Sequence, residues 1–213
     1  MQLENRVALI TGAGRGIGRA IALAYAKEGA RLSLAARTLS ELEETARQAR
    51  DQGAEALVIP TDVSDQTQVE KMVRQTLEQF STIDIVVNNA SFIGPIGPLQ
   101  NNDVAEWIHT FQVNVFGTFF CCRAVLPVMV QQGRGKIINV TSGTLARGNP
   151  AHRLRYLAAY LASKAAVTQL TEFLSYQVAD THIQVNAMHP LGHTRGLEEA
   201  WNRLHELGES ASY

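Results

Sequence analysis

A tyrosine and a lysine four residues apart are the first residues that could do chemistry. Tyr160 and Lys164 enclose the run Leu-Ala-Ser, and at helical spacing their side chains lie on one face. A tyrosine with an ordinary pKa of about 10 exchanges protons poorly near neutrality unless a positive charge stabilises its phenolate. At roughly 5 Å and an effective dielectric constant of about 20, Lys164 would contribute about 3 kcal/mol, or about two pKa units. The pair is a candidate acid–base centre, although this spacing alone is common and usually structural.

A glycine-rich run near the N-terminus is the second candidate, and the chemistry it suggests is phosphate binding. Gly12, Gly16 and Gly18 follow a short apolar run and precede a segment of helical period. Glycines let the backbone turn sharply and approach a pyrophosphate, whose charge is stabilised by the amino end of a helix. A glycine-rich turn can also be a plain connector, but its place between a strand and a helix favours a dinucleotide site.

Strands and helices that alternate along the chain must position these residues. Short apolar runs rich in β-branched residues predict strands at 7–10, 31–35, 56–59, 83–87, 136–140 and 183–187. Segments of helical period predict helices at 16–28, 39–52, 65–80, 102–130 and 156–179. The alternation predicts an α/β fold, a doubly wound parallel sheet of the Rossmann type, in a single domain over residues 1–213.

Unusual residues follow each predicted strand, where the ligands of such sheets bind. After the glycine-rich run, which follows the first strand, these residues are Arg37, Asp62, Asn88-Asn89-Ala90, Ser142 and Pro190. Together with Asn114 and the Tyr160/Lys164 pair, this ordered set resembles the short-chain dehydrogenase/reductase family over about residues 3–194. The resemblance extends to its 3-oxoacyl-carrier-protein reductases and its sugar or polyol dehydrogenases.

The resemblance implies a role for each matching residue. Tyr160 would exchange a proton with the substrate oxygen, Ser142 would hydrogen-bond that oxygen, and Lys164 would bind the nicotinamide ribose while lowering the pKa of Tyr160. Asn114 would hold a water in a proton relay. Strand order 3-2-1-4-5-6 is expected. The implied cofactor-binding residues are Gly12, Arg15, Gly16, Ile17, Gly18, Arg37, Asp62, Val63, Asn88, Ala90, Tyr160, Lys164, Pro190 and Thr194.

The residues after the second predicted strand indicate which cofactor is favoured. Ala36 stands where family members that use NAD carry an aspartate for the adenosine ribose. Arg37, helped by Arg15, could instead pair with a 2′-phosphate, which favours NADP(H) over NAD(H). Either arginine could also be a solvated surface charge.

Several positions depart from the family pattern. Ser91 stands where a glycine is usual, and the segment between Ser142 and Tyr160 is longer than usual. Leu191 replaces a glycine after Pro190, and a helix over 197–207 is expected where relatives continue to a seventh strand. We therefore expect the seventh strand to be missing.

Composition excludes several other classes of function. A net charge of −1 argues against general nucleic-acid or anionic-membrane binding, and 46% hydrophobic residues with 18% charged residues fit a globular domain. The two cysteines, Cys121 and Cys122, are adjacent and suit neither a disulfide framework nor a metal site, and no metal site is expected. The stretch 111–130 is interrupted by polar residues and Pro127, so it is not expected to span a membrane. No signal peptide is recognised, and a cytoplasmic protein is expected.

Two hypotheses follow. The first is an NADP(H)-dependent oxidoreductase that interconverts a secondary alcohol and a ketone. The alternative is a catalytically weak nucleotide-binding or partner-binding protein. In either case the apolar helix 102–130 and the alanine-rich helix 156–179 predict a homodimer, because the resemblance implies that these two helices form a two-fold interface.

Overall fold

Six parallel strands form one sheet in the computed structural model, which describes residues 1–142 and 156–190. The order is β3-β2-β1-β4-β5-β6, which confirms the predicted topology. The strands are β1 Val7–Thr11, β2 Arg31–Ala36, β3 Ala56–Pro60, β4 Ile85–Asn88, β5 Gly135–Val140 and β6 Ile183–Met188.

In residues 1–142 and 156–190, six α-helices connect and cover these strands. They are α1 Gly16–Lys27, α2 Leu39–Arg50, α3 Gln66–Phe80, α4 Val104–Phe111, α5 Gly117–Gln132 and α6 Ala158–Gln177. Asp65 and Asp103 begin α3 and α4 because their carboxylates accept hydrogen bonds from backbone N–H groups of the first turn. Gly133, with a φ of 70°, ends α5 in the left-handed conformation that favours glycine.

Strand β4 begins two residues later than the predicted 83–87. Asp84, which precedes it, accepts hydrogen bonds from the Val7 backbone N–H at 3.1 Å and from Arg6 at 3.1 Å. Arg134 reaches the same carboxylate at 3.2 Å. These contacts fix the amino end of the sheet, opposite the edge where the strands end.

The predicted single helix 102–130 contains an irregular turn. A π-helical segment, Gln112–Phe116, lies between α4 and α5, so the continuous rod runs Val104–Gln132 and its middle is wider than an α-helix. The polar residue Asn114 lies inside this segment and is fully buried.

The rod is long and apolar enough to cross a membrane by length and mean hydropathy, contrary to the expectation drawn from its interruptions. One side of the rod packs into the core, where Cys121, Val125 and Met129 are buried, and 44% of its apolar window is buried. Pro127 lies within α5 and is exposed.

Apolar residues fill both faces of the sheet. On one face, Leu9, Val86 and Ile137 pack with residues of α3 and α5. On the other, Ile10 and Leu34 pack with small residues of α1 and α2. Burial on both faces explains why the strands read as continuous apolar runs. The expectations for Leu191, Thr194, the helix 197–207 and a seventh strand concern residues outside the described ranges.

Candidate active site

The glycine-rich loop after β1 needs glycine at two of its positions. Gly12 has a φ of +64°, and a Cβ there would stand 2.8 Å from Asn89 Nδ2. A Cβ on Gly18 would overlap the carbonyl oxygen of Gly12. These close approaches fix the sharp turn that joins β1 to α1.

The same loop presents bare backbone at the start of α1. Gly16 has a φ of +55°, and no heavy atom lies within 4 Å of the place its Cβ would take. Arg15, the N-cap residue, has no side-chain acceptor for the N–H groups of the first turn, and Ile17 is half-buried beside it. The first turn therefore suits an anionic ligand, and the loop fits the pyrophosphate of a dinucleotide.

Two polar side chains hold this loop from behind. Thr45 on α2 is fully buried, and its hydroxyl lies 3.1 Å from the carbonyl oxygen of Ala13 and 3.3 Å from that of Gly14. Arg19 on α1 donates to Thr45 Oγ1 at 3.0 Å and also to the Gly14 carbonyl. Sequence reasoning missed both residues, because nothing in their local spacing shows that they meet.

Two exposed arginines and one hydrogen-bonded carboxylate lie after the first three strands. Arg15 and Arg37 are exposed, and the half-buried Ala36 brings no carboxylate to the end of β2. Asp62 Oδ1 accepts from the Ser64 backbone N–H at 2.9 Å and from its hydroxyl at 2.7 Å, and the next residue, Val63, is buried.

The Asn88-Asn89-Ala90 segment is anchored to β1. Thr11 Oγ1 accepts from the backbone N–H groups of Asn89 at 3.0 Å and Ala90 at 3.1 Å. The buried Asn88 donates to Asn139 at 2.8 Å, while its Oδ1 atom has no partner among the described residues. Asn88 also lines a small pocket together with Thr11, Val63, Ala90, Val113, Gly117 and Thr118.

Tyr160, Ser142 and Lys164 meet at the ends of β4 and β5. Ser91 and Ser142 lie beside the Tyr160 hydroxyl, where their side chains lower its pKa against the effect of burial. Lys164 is buried, donates to the Val140 carbonyl at 2.8 Å, and has its Nζ atom 5.7 Å from the centre of the Tyr160 ring. The structure thus brings together three predicted residues and adds Ser91.

The expectation that Lys164 lowers the pKa of Tyr160 stays a prediction. Burial raises the pKa of Tyr160, and the hydrogen bonds from Ser91 and Ser142 oppose that rise. Burial also lowers the pKa of Lys164 to about 8.

Asn114 connects the two sides of this site through its amide group. Its Oδ1 accepts from the Phe92 backbone N–H at 2.8 Å, and its Nδ2 donates to the Phe92 carbonyl at 2.8 Å and to Ser163 Oγ at 2.8 Å. Ser163 in turn donates to the Tyr160 carbonyl at 2.7 Å. We refer to Phe92, Asn114, Ser163 and Tyr160 as the Asn114 network. The expected relay water at Asn114 stays a prediction, and the side chain has a positioning role.

The comparisons with known proteins agree with this geometry. Residues 6–203 match the short chain dehydrogenase family. The chain belongs to that family. It is 38% identical over 191 residues to a sorbitol dehydrogenase of Cereibacter sphaeroides, and the aligned region covers 89% of this chain and 71% of that enzyme. It is also 36% identical over 187 residues to a 3-oxoacyl-[acyl-carrier-protein] reductase of Staphylococcus epidermidis, and here the aligned region covers 87% of this chain and 74% of the reductase.

Solved structures of this family superpose closely. An NAD+-bound xylitol dehydrogenase covers 100% of this chain and 79% of its own, with a TM-score of 0.87 and 30% identity. The superposition with a levodione reductase covers 96% of this chain and 78% of the reductase, with a TM-score of 0.88 and 34% identity. This short-chain dehydrogenase is an NAD(P)-dependent dehydrogenase/reductase.

Most of the predicted site residues lie at the carboxyl ends of the strands. The glycine loop, Arg37 and the Asp62-Val63 pair follow β1 to β3, Asn88 ends β4 and precedes Asn89-Ala90, and Ser142 and Pro190 follow β5 and β6. Tyr160 and Lys164 lie on α6, and Asn114 lies in the π-helical segment. Thr194 is outside the described residues. Ser163 and Thr11 were missed, and the signal that could have found Ser163 is its place inside the Tyr160 to Lys164 run.

Proposed function

We propose that this short-chain dehydrogenase interconverts a secondary alcohol and a ketone, with Tyr160 as proton donor and acceptor. The observation that carries the proposal is the position of Tyr160 next to the buried Lys164, whose Nζ atom lies 5.7 Å from the Tyr160 ring centre, and beside Ser142 at the carboxyl ends of the strands. The names of its relatives refer to sorbitol, xylitol, levodione and 3-oxoacyl groups, which are alcohols or carbonyl compounds.

Each of the three residues has a defined task in ketone reduction. The bound nicotinamide cofactor supplies the hydride that the carbonyl carbon gains. Ser142 donates a hydrogen bond to the carbonyl oxygen and orients it, and Tyr160 gives that oxygen its proton and becomes a phenolate. Lys164 holds the nicotinamide ribose and adds positive charge near the phenolate. Alcohol oxidation uses the same groups in reverse.

NADP(H) is the favoured cofactor in this proposal. Arg37 is exposed directly after β2, Arg15 is exposed in the glycine loop, and Ala36 has no carboxylate to repel a phosphate. Two guanidinium groups can form charge-assisted hydrogen bonds with a 2′-phosphate. Solved relatives include complexes with NAD+ and with NADH, so the preference must be measured directly.

The test is oxidation of NADPH and NADH by the purified protein with a panel of ketones. Tyr160→Phe should lose about 10²- to 10⁴-fold in rate, because a general acid contributes this much, while NADPH affinity measured by fluorescence stays unchanged. Tyr176→Phe is the matched control, since Tyr176 is exposed on the same helix α6.

A loss of less than about tenfold in Tyr160→Phe would remove Tyr160 from this role. Cofactor binding without consumption by any ketone would instead favour the nucleotide-binding or partner-binding alternative.

We also propose a homodimer through the rod Val104–Gln132 and α6. Each of these elements exposes a pair of aromatic residues at helical spacing: Phe116 and Phe119 on the rod, at 50% and 40% exposure, and Phe173 and Tyr176 on α6, at 65% and 68%. Light scattering should give a dimer mass, and Phe119→Glu should lower it to that of a monomer at micromolar concentration. A monomeric or stably tetrameric parent protein would contradict this proposal.

A cytoplasmic location completes the proposal. Cys121 and Cys122 are buried free thiols, which suits a reducing compartment.

A further inference from the structure

The carbonyl groups of the glycine loop are bound from the side of helix α2. Thr45 on α2 has its hydroxyl oxygen 3.1 Å from the Ala13 carbonyl oxygen and 3.3 Å from that of Gly14. A Cβ on Gly14 would stand 2.9 Å from the Cβ of Glu41, so the loop and the helix are in direct contact there. The position of this part of the loop is therefore set by α2.

Arg19 on α1 supplies hydrogen-bond donors that Thr45 lacks. A threonine hydroxyl has one hydrogen, whereas three carbonyl oxygens lie within 3.3 Å of Thr45 Oγ1, those of Ala13, Gly14 and Glu41. Arg19 donates to Thr45 Oγ1 at 3.0 Å and to the Gly14 carbonyl, and its Nη2 atom lies 3.4 Å from the Glu41 carbonyl oxygen. Thr45 is fully buried and Arg19 is half-buried. We call these two side chains and the two loop carbonyls the Arg19–Thr45 network.

These hydrogen bonds determine which way the peptide groups of the loop face. The loop contains no cis peptide bond, and the C=O and N–H of one trans peptide unit point in opposite directions. Carbonyls that bond toward α2 therefore direct the backbone N–H groups of Gly14 and Arg15 away from α2. Backbone N–H groups held in one direction at the start of a helix are the groups that bind an anion.

We propose that Arg19 and Thr45 are positioning residues of the cofactor site, which bind the loop carbonyls and thereby hold the loop N–H groups in the orientation that binds the dinucleotide phosphates. The inference rests on the dinucleotide site of the proposed function, and on neither Tyr160 nor the substrate. NADP(H) and NAD(H) share the pyrophosphate, so the network should set the affinity for both cofactors equally, whereas Arg37 should distinguish between them.

The first experiment compares Thr45→Val, which keeps the shape of the side chain, with Thr45→Ser, which keeps the hydroxyl. Fluorescence titration of NADPH and of NADH gives both dissociation constants without any substrate. We expect Thr45→Val to raise both Kd values about tenfold, because it removes a buried hydroxyl from the loop carbonyls, and Thr45→Ser to stay within about twofold of the parent protein. With a ketone substrate, the KM for NADPH should rise, while kcat at saturating NADPH should change by less than about twofold.

The matched control is Thr76→Val, which separates positioning from stability. Thr76 is also fully buried on a helix, and its hydroxyl donates to the Met72 carbonyl of its own helix α3 at 2.9 Å. Helix α3 packs on the face of the sheet opposite to α1 and α2. Urea denaturation should show a loss of stability in both valine variants, whereas both Kd values should rise in Thr45→Val alone.

Arg19→Met tests the second side chain of the network. The control is Lys27→Met, which removes a charge from the exposed end of the same helix α1. Arg19→Met should raise both Kd values about tenfold and Lys27→Met should leave them unchanged. Because both side chains act on the same carbonyls, the double variant of Arg19→Met with Thr45→Val should lose less than the product of the two single losses. Arg19 is half-buried, so Arg19→Met is expected to fold even where Thr45→Val does not.

Three results would overturn the inference: unchanged Kd values in Thr45→Val, a Thr45→Ser variant that binds as weakly as Thr45→Val, or equal weakening in Thr45→Val and Thr76→Val. A loss in Arg19→Met beside an unaffected Thr45→Val would show that Arg19 binds the cofactor directly, which also contradicts a positioning role. Failure of the proposed function looks different. If the parent protein binds the cofactors without reducing any ketone, the proposed reaction is wrong, while the Kd values still decide the role of the network.

Discussion

The crevice at the carboxyl ends of the strands has two halves that consist of different chemical groups. Around β1 to β3, the site consists of backbone and exposed charge: the glycine loop, the open first turn of α1, and the arginines at 15 and 37. Around β4 to β6, it consists of buried side chains, with Asn114, Ser163 and Lys164 each no more than 2% exposed. The first half suits binding of an anion, and the second suits control of a proton.

The difference follows from what each task requires. An anion is held by N–H groups and cations that can remain in contact with water. Proton transfer requires a fixed geometry and a dry surrounding, which only buried and fully hydrogen-bonded groups supply. Substitutions of the exposed arginines in the first half should therefore change ligand affinity with little effect on stability, whereas substitutions of the buried residues in the second half should change both.

The largest expected effect comes from Asn114, where the two properties are most closely joined. Asn114→Ala leaves the Phe92 backbone groups and Ser163 without their partner, and each unsatisfied buried group costs about 1 to 3 kcal/mol. Because Phe92 is only partly buried, we expect a total loss of about 3 kcal/mol in the free energy of unfolding. Urea denaturation measures it.

The matched control is Gln112→Ala, because Gln112 lies in the same π-helical segment and is exposed. It should change the free energy of unfolding by less than about 0.5 kcal/mol. Similar losses in both variants would show that the helix, and not the Asn114 network, carries the stability.

The same contrast explains what could be predicted from the sequence. The glycine loop and the Tyr160/Lys164 pair were found because their chemistry depends on short spacings within one element. The strands were found because burial on both faces leaves continuous apolar runs. Three features of the site join distant parts of the chain: the approach of Ser91 to Tyr160, the Asn114 network and the Arg19–Thr45 hydrogen bond. Sheet register and helix packing decide these contacts, and local patterns do not report them.

The second prediction concerns the buried ammonium of Lys164. Its pKa is lowered to about 8 by burial from an ordinary value of 10.5, so between these values the folded protein binds fewer protons than the unfolded chain. Stability must therefore rise with pH through that window, and the cost of burying the charge is fully present below it. From about pH 7 to about pH 9.5 the gain should be about 2 kcal/mol.

Lys164→Met isolates this contribution, because it removes the titrating group and keeps much of the side-chain volume. Other groups titrate in both proteins and cancel in the difference between their free energies of unfolding. That difference should move by about 2 kcal/mol in favour of the parent protein as the pH rises. Parallel stability curves would show that Lys164 has the same pKa in the folded and unfolded chains.

The smallest expected effect belongs to the exposed half of the crevice, at Arg37. Arg37→Asp should weaken NADPH binding about tenfold more than NADH binding, because a carboxylate repels the 2′-phosphate but accepts a hydrogen bond from a ribose hydroxyl. The effect is near the lower end for charged hydrogen bonds, since the guanidinium is exposed to solvent. Fluorescence titration of both cofactors measures this difference.

The matched control is Arg74→Asp, which makes the same change in charge on the exposed side of α3 and should leave the ratio of the two affinities unchanged. Equal losses for NADPH and NADH in Arg37→Asp would assign Arg37 a structural role, and a large loss of stability would remove the contrast between the two halves.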